Sequence, residues 1–217
     1  MSRRALRHAL VAAVALASAS GCEPRIAPVA APTVDFQSSL AGKIPGRYAL
    51  SLDPTTVALD RSVQSSTSVC AEQRYPFRPA SALGRTLETA LAVVFERVDA
   101  APPRTTPDVS SPAPGTGMIH AWLERFDPKL KCEVDFWGRS CVATVDLTLG
   151  IEVRMAYGRS LSFTTSSSES AEGGAGGACQ DVSEILGEAY ALALRDVVHT
   201  ALEEIAASEA LRPATPR

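Results

Sequence analysis

Apolar and polar positions alternate most cleanly between Cys141 and Met155. There Val145, Leu147, Leu149, Ile151, Val153 and Met155 interleave with Thr144, Asp146, Thr148, Glu152 and Arg154. A period of two with one apolar and one polar set predicts a strand buried on one face and solvated on the other, as in an antiparallel sheet covered on a single side. Thr116 to Phe126 reads as a preceding strand with both faces partly apolar, Ile119, Ala121 and Leu123 on one side and Met118, His120 and Trp122 on the other. After the turn signal Tyr157-Gly158, Ser160 to Thr165 puts Leu161 and Phe163 on one face and completes a three-stranded meander. Near the start, Arg47 to Asp53 (RYALSLD) is a further strand, with Tyr48, Leu50 and Leu52 on one face; the alternation Val57 to Val63 is expected to extend it or pair with it.

Two segments follow the helical period instead. Ala80 to Val98 repeats Leu83, Leu87, Ala90, Leu91, Val94 and Val98 at 3.6-residue spacing. A second helix starts at Asp181, which with Glu184 has the D-x-x-E form of a capping box. Its stripe of Leu186, Tyr190, Leu194, Val198, Leu202 and Ile205 is wide enough to cover a sheet. The order strand, helix, three strands, helix predicts a two-layer α+β sandwich over residues 47–208, with a mainly antiparallel sheet and both helices on one face. Asp99 to Gly117 carries five prolines and is expected to be a disordered insertion. Ser166 to Gly177 reads as a Ser/Gly-rich loop, and residues 209–217 as a flexible tail.

The N-terminus changes the setting. Arg3, Arg4 and Arg7 precede the apolar run Ala9 to Ala17, which is too short to span a bilayer as a mature helix and has the layout of an export signal. The small residues Ala19, Ser20 and Gly21 then lead into Cys22. This run resembles the lipobox of bacterial lipoproteins, with Ala19 where that family usually carries Leu. The resemblance implies that residues 1–21 are removed, that Cys22 is diacylated, and that the protein is anchored in a bilayer through it. A plain secretory signal with a coincidental cysteine would also mean export. Glu23 after the anchor implies, by likeness to sorted lipoproteins, the outer membrane with the fold facing the periplasm. Residues 22–46, with four prolines, are expected to form a tether.

Export bears on charge and cysteines. Losing three arginines and no acids takes the formal net charge of the chain from −3 to −6. With basic residues scattered singly, nothing marks a nucleic-acid partner. Cys70, Cys132, Cys141 and Cys179 form an even set, which in an oxidising compartment favours disulfides over metal. Three connectivities are open. With strands running alternately, Cys132 and Cys141 flank one hairpin connection and Cys70 and Cys179 precede the two helices, so Cys132–Cys141 with Cys70–Cys179 is the natural pairing. No pair has zinc-ligand spacing, and His120 and His199 read as ordinary surface or edge histidines. Neither a metal nor a cofactor is expected.

A lipobox-like run, a Pro-rich segment and strand, helix, three strands, helix together resemble the auxiliary lipoproteins of bacterial ABC-type transport and the lipopolysaccharide-assembly lipoproteins. The likeness rests on RYALSLD and the helix pair over about residues 45–208. It implies a non-catalytic accessory component of a transport or lipid-trafficking system, docked to an envelope protein such as an ABC transport assembly. A structural or regulatory lipoprotein acting on cell-wall enzymes is the alternative.

No other chemistry fits the chain. The run Gly173 to Gly177 lacks the Lys-Ser/Thr of a phosphate loop, the serines form no G-x-S-x-G elbow, and Glu203-Glu204 lies off the apolar stripe. Trp122 and Trp137 read as sheet-core aromatics. The polar set of the clearest strand supplies the partner-binding candidates Asp146, Glu152 and Arg154.

Overall fold

The computed structural model describes residues 29–37, 42–104, 113, 115–136, 138–176 and 179–211. The chain forms β1 (Ile44–Leu52), a single helical turn α1 (Pro54–Val57), β2 (Arg61–Val63), β3 (Tyr75–Phe77), α2 (Ala80–Val94), β4 (Phe95–Ala100), β5 (Thr116–Asp135), β6 (Gly138–Met155), β7 (Ser160–Gly174) and α3 (Val182–Ala207). The main sheet has the order β4-β1-β5-β6-β7, and β2 and β3 make a separate antiparallel pair. β5, β6 and β7 run antiparallel, whereas β1 is parallel to both β4 and β5. The fold is therefore α+β with a sheet that is mainly, but not wholly, antiparallel. Both helices pack on one face of it and against each other.

The parallel edge arises where the sequence predicts continuing helix. α2 stops at Val94, and Phe95 turns to extended backbone at φ −99 and ψ 149. Leu87, Leu91, Val94 and Val98 satisfy a helical period, but Phe95 and Val98 also suit a strand, and tertiary packing decides. Phe95 is fully buried, with its ring 4.4 Å from that of Tyr48. Asp99 and Ala100 thus belong to β4, and Thr116 and Gly117 to β5, which shortens the expected insertion at both ends; residues 105–112 and 114 lie outside the described residues. The alternation Val57 to Val63 does not extend β1. Asp53 caps α1 by accepting from Thr55 N at 2.8 Å, and β2 pairs with β3.

All three meander strands run past their expected ends. β7 continues through the Ser/Gly-rich run to Gly174, because β6 supplies a ladder partner for each residue from Ser160 to Gly174. In β5 the register shifts at Glu124, between the pairs Leu123–Leu149 and Arg125–Thr148. This one-residue bulge moves the inward set from Ile119 and Ala121 to Phe126, Leu130 and Cys132, so the apolar positions stay on the helix side along the whole strand. Against them lie Leu186, Tyr190, Leu194, Val197 and Val198 of α3, with Tyr190 edge-on to Phe77 (5.4 Å, 77°) and to Phe126 (5.8 Å, 86°). The Tyr190 hydroxyl donates to Pro79 O at 3.1 Å, and burial pushes its pKa far above the ordinary phenol value. Asp181 makes no side-chain cap bond, so the expected capping box is not formed; Glu184 stands in the first turn.

Disulfides join Cys70 to Cys179 and Cys132 to Cys141, with Cα separations of 5.9 and 4.0 Å. Part of the expected tether is not free. Val29, Val34 and Phe36 pack on the core, and the Phe36 ring meets His199 at 5.6 Å. Cys22 and residues 1–28 lie outside the described residues.

Candidate functional site

The face of the sheet opposite α2 and α3 falls into two regions divided by the bulge, open beyond it and covered at Ser51 and His120 on the β1 side. On the β1 side of the bulge, register places Ser51 beside His120 and His120 beside Glu152. Trp122 lies across from Gly150, and its indole stacks on the His120 ring at 5.6 Å and 28°. His120 is 6% exposed, so it is neither a surface nor an edge histidine. Its Nε2 stands 3.9 Å from Asp53 Oδ2, and its Nδ1 is buried without a hydrogen-bond partner. Glu152 Oε1 accepts from Arg154 Nε at 2.6 Å, and the two side chains retain 19% and 34% exposure. They line a half-buried patch; the alternation alone places them in open water.

Beyond the bulge the open face is a strip of ion pairs and hydroxyls. Asp146 accepts from Lys129 Nζ at 2.7 Å and from Ser168 Oγ at 2.6 Å, with Arg125 Nη2 at 3.4 Å. Lys129 and Arg125 also reach Asp127 at 3.2 and 3.3 Å. The Lys129 hydrogen bond, then that of Ser168, holds the Asp146 carboxyl below the usual carboxylate range, and the same carboxylates raise Lys129. Thr144 pairs with Ser170 at 2.8 Å and Thr148 with Ser166 at 2.9 Å. The three partner-binding candidates therefore share one face but not one cluster, Asp146 in the ion strip and Glu152 with Arg154 in the aromatic patch.

Ser51, His120 and Asp53 are types that could form a nucleophilic triad, but Ser51 does not present its oxygen. It is 1% exposed, and its hydroxyl donates to Pro102 O at 2.9 Å. The face carries a balanced array of donors and acceptors and one half-buried indole. It is bordered by β7, a fifteen-residue edge strand with no Pro or Lys; among the described residues no strand pairs with its outer side. Such an edge is a template for main-chain pairing. The sequence reads Trp122 as a sheet-core aromatic and His120 as a surface or edge histidine, whereas the indole is half-buried on this face and the imidazole is buried under it beside Asp53, to which no motif points; Trp137 lies outside the described residues.

No protein-family model matches the chain, and no curated protein matches it. Among solved structures it is similar to protein XCC0632 from Xanthomonas campestris, of the family-model DUF330, at 12% identity and a TM-score of 0.41, covering 81% of this chain and 93% of that one. It is also similar to a minor lipoprotein from Acinetobacter baumannii at 9% identity and a TM-score of 0.32, covering 76% and 90%. The hypothetical protein CT253 from Chlamydia trachomatis matches at 14% identity and a TM-score of 0.36, covering 75% and 98%. These are loose likenesses of shape, and the chemistry of the open face is argued from its own residues. Among the described residues, no helix is long and apolar enough to cross a membrane.

Proposed function

We propose that this protein is a non-catalytic lipoprotein of the bacterial envelope, anchored through Cys22, that docks a protein partner on the open face of its sheet as an accessory to a transport or lipid-trafficking assembly. The observation that carries the reading is the face itself, with a half-buried indole, ordered ion pairs and a long edge strand at its border whose outer side no described strand covers. Strand addition along β7 supplies main-chain hydrogen bonds, while the side chains of the face supply selectivity. Packing of Val29, Val34 and Phe36 leaves six residues between Cys22 and the docked segment. Six residues reach roughly 20 Å when fully extended, so the fold would work close to the membrane surface.

The test is cross-linking in native envelopes followed by mass spectrometry, comparing wild type with the swap Glu152→Arg/Arg154→Glu. The swap keeps an ion pair in place but inverts its polarity beside Trp122. Cross-links from β6 and β7 to a transporter subunit, lost in the swap, are the expected result. Recovery of peptidoglycan-synthesis enzymes without any transporter subunit would replace this reading with the cell-wall alternative.

A further inference from the structure

The two disulfides lie side by side. Cys70, Cys132 and Cys141 present sulfurs that all lie within 4.8 Å of one another. The chain brings them together where β1 ends and the segment after β2 takes its place along β5: Ser66 N donates to Leu130 O at 2.9 Å, and Thr67 Oγ1 donates to Cys132 O. Their surroundings differ. Cys132 and Cys141, directly opposed on β5 and β6, are fully buried. The Cys70–Cys179 bond instead walls a surface cavity of about 360 Å³, together with Glu72, Gln73, Val134 and Arg139. Both of its half-cystines hold left-handed backbone, φ 59 at Cys70 and 56 at Cys179, a region that side chains of this kind seldom occupy. Arg139 Nη1 donates to Cys179 Sγ at 3.8 Å, and a guanidinium there favours thiolate over thiol.

We infer that this cluster is a thiol–disulfide exchange site that accepts a protein or peptide dithiol, with Cys70–Cys179 as its entry. A partner thiolate attacks Cys70 Sγ, on the less buried of the two half-cystines. The Cys70–Cys179 bond breaks, its electron pair leaves on Cys179 Sγ beside Arg139, and Cys70 is joined to the partner. The partner's second thiolate attacks its own sulfur in that mixed disulfide, which frees Cys70 as thiolate and leaves the partner oxidised. Two electrons have then passed from the dithiol to Cys70 and Cys179, and the two protons that the dithiol lost on forming its thiolates went to solvent. Cys70, within 4.8 Å of the second bond, attacks it in turn: a bond to Cys132 or Cys141 forms, and the other of these leaves as thiolate, with no net redox change. The covalent tie moves from the start of α3 to the β5–β6 hairpin, and the start of α3 is then held by the packing of Val182 and Ile185 and by the Tyr75 hydroxyl, which donates to Cys179 O at 3.0 Å.

The experiment uses the full chain carrying Cys22→Ser, so that every remaining thiol belongs to the cluster. In Cys179→Ser, equilibrated at pH 8, blocked with maleimide and mapped without reduction, Cys70–Cys132 and Cys70–Cys141 peptides should make up a tenth or more of the disulfides. Maleimide confined to Cys70 would overturn the proposal. In Cys70→Ser the free Cys179 lies outside the three-sulfur group, and no exchange is expected; equal scrambling in both variants would also overturn it. Should Cys179→Ser fail to fold, the chain with its four cysteines intact decides under limiting dithiothreitol. With maleimide in excess from the start, so that Cys70 is trapped before it exchanges, Cys70 and Cys179 should be alkylated at least tenfold faster than Cys132 and Cys141, and Arg139→Met should slow this several-fold. Equal rates at all four sulfurs would reject the entry role.

Discussion

Gly150→Ala tests the architecture of the open face with a change of sign. Trp122 covers this glycine so closely that a Cβ there would lie 2.1 Å from Cε2, 2.4 Å from Cζ2 and 2.6 Å from Nε1 of the indole. Carbon atoms rest at about 3.5–4.0 Å, so the ring must retreat by about 1.5 Å or rotate away. Either movement gives up its stack on His120. Overpacking of this kind costs about 1–3 kcal/mol, and losing an aromatic pair about 0.5–1.5 kcal/mol. Against this, alanine is better than glycine inside a strand by about 0.5–1 kcal/mol. The expected net loss is about 2 kcal/mol, or a fall in Tm of roughly 4–8 °C for a domain of this size. In a Trp122→Ala background the methyl meets no indole, and the same substitution should be neutral or stabilising by up to about 1 kcal/mol. Urea and thermal unfolding of the four proteins gives the coupling, expected at about 2 kcal/mol or more. An equal cost of Gly150→Ala in both backgrounds would refute the placement of Trp122 over Gly150.

Three further outcomes follow from the packing and charges. Replacing both cysteines of Cys70–Cys179 by alanine should lower stability more than doing so at Cys132–Cys141, because the sequence separations are 109 and 9; chain entropy gives about 4.8 against about 2.6 kcal/mol, and thermal unfolding in the reverse order would contradict it. Tyr190→Phe removes one buried donor from Pro79 O, which still accepts from Leu83 N at 3.1 Å, so a loss of about 1 kcal/mol is expected in urea unfolding with the m-value unchanged. Asp146 is held below its unfolded pKa by Lys129 and Ser168, so its contribution is present above about pH 4 and disappears as pH falls through the folded value. Asp146→Asn should therefore cost a small, solvent-screened amount of Tm at pH 7 and nothing near pH 2; a gap that stays constant between these pH values would show that the ion strip does not stabilise the fold.

The meander is legible because its alternation is nearly continuous. β6 keeps one apolar set from Cys141 to Val153, and no other element type fits it. β4 was hidden inside the helical period of α2, since Val94 and Val98 satisfy both periods and only the burial of Phe95 against Tyr48 separates them. The second half of β7 was hidden by composition. Ser166, Ser168 and Ser170 face outward, and only Thr165 and Ala171 mark the inner side, so a Ser/Gly-rich run reads as loop until β6 supplies its partner. The packing of Val29, Val34 and Phe36 had the same difficulty, as three apolar residues among prolines show no period that names what they cover.

The site itself depends on register, which alternation alone does not carry. Counting back from the pair Asp135–Gly138 aligns Cys132 with Cys141 and Asp127 with Asp146, and continues unbroken to Arg125–Thr148. Continued without interruption, the same count would face Trp122 toward Ile151 and reverse every residue before Arg125 between the two sides of the sheet. Met118 and Trp122 blur the parity in the sequence, and burial resolves it. The buried apolar residues are Ile119 and Ala121 before the bulge and Phe126, Leu130 and Cys132 after it, and this change of parity requires one extra residue at Glu124. With that residue inserted, Trp122 meets Gly150 and His120 meets Glu152 on the open face. A bulge that keeps the core continuous is thus also what assembles His120, Trp122, Glu152 and Arg154 into one patch, and it separates them from the ion strip around Asp146 by a single turn of strand parity.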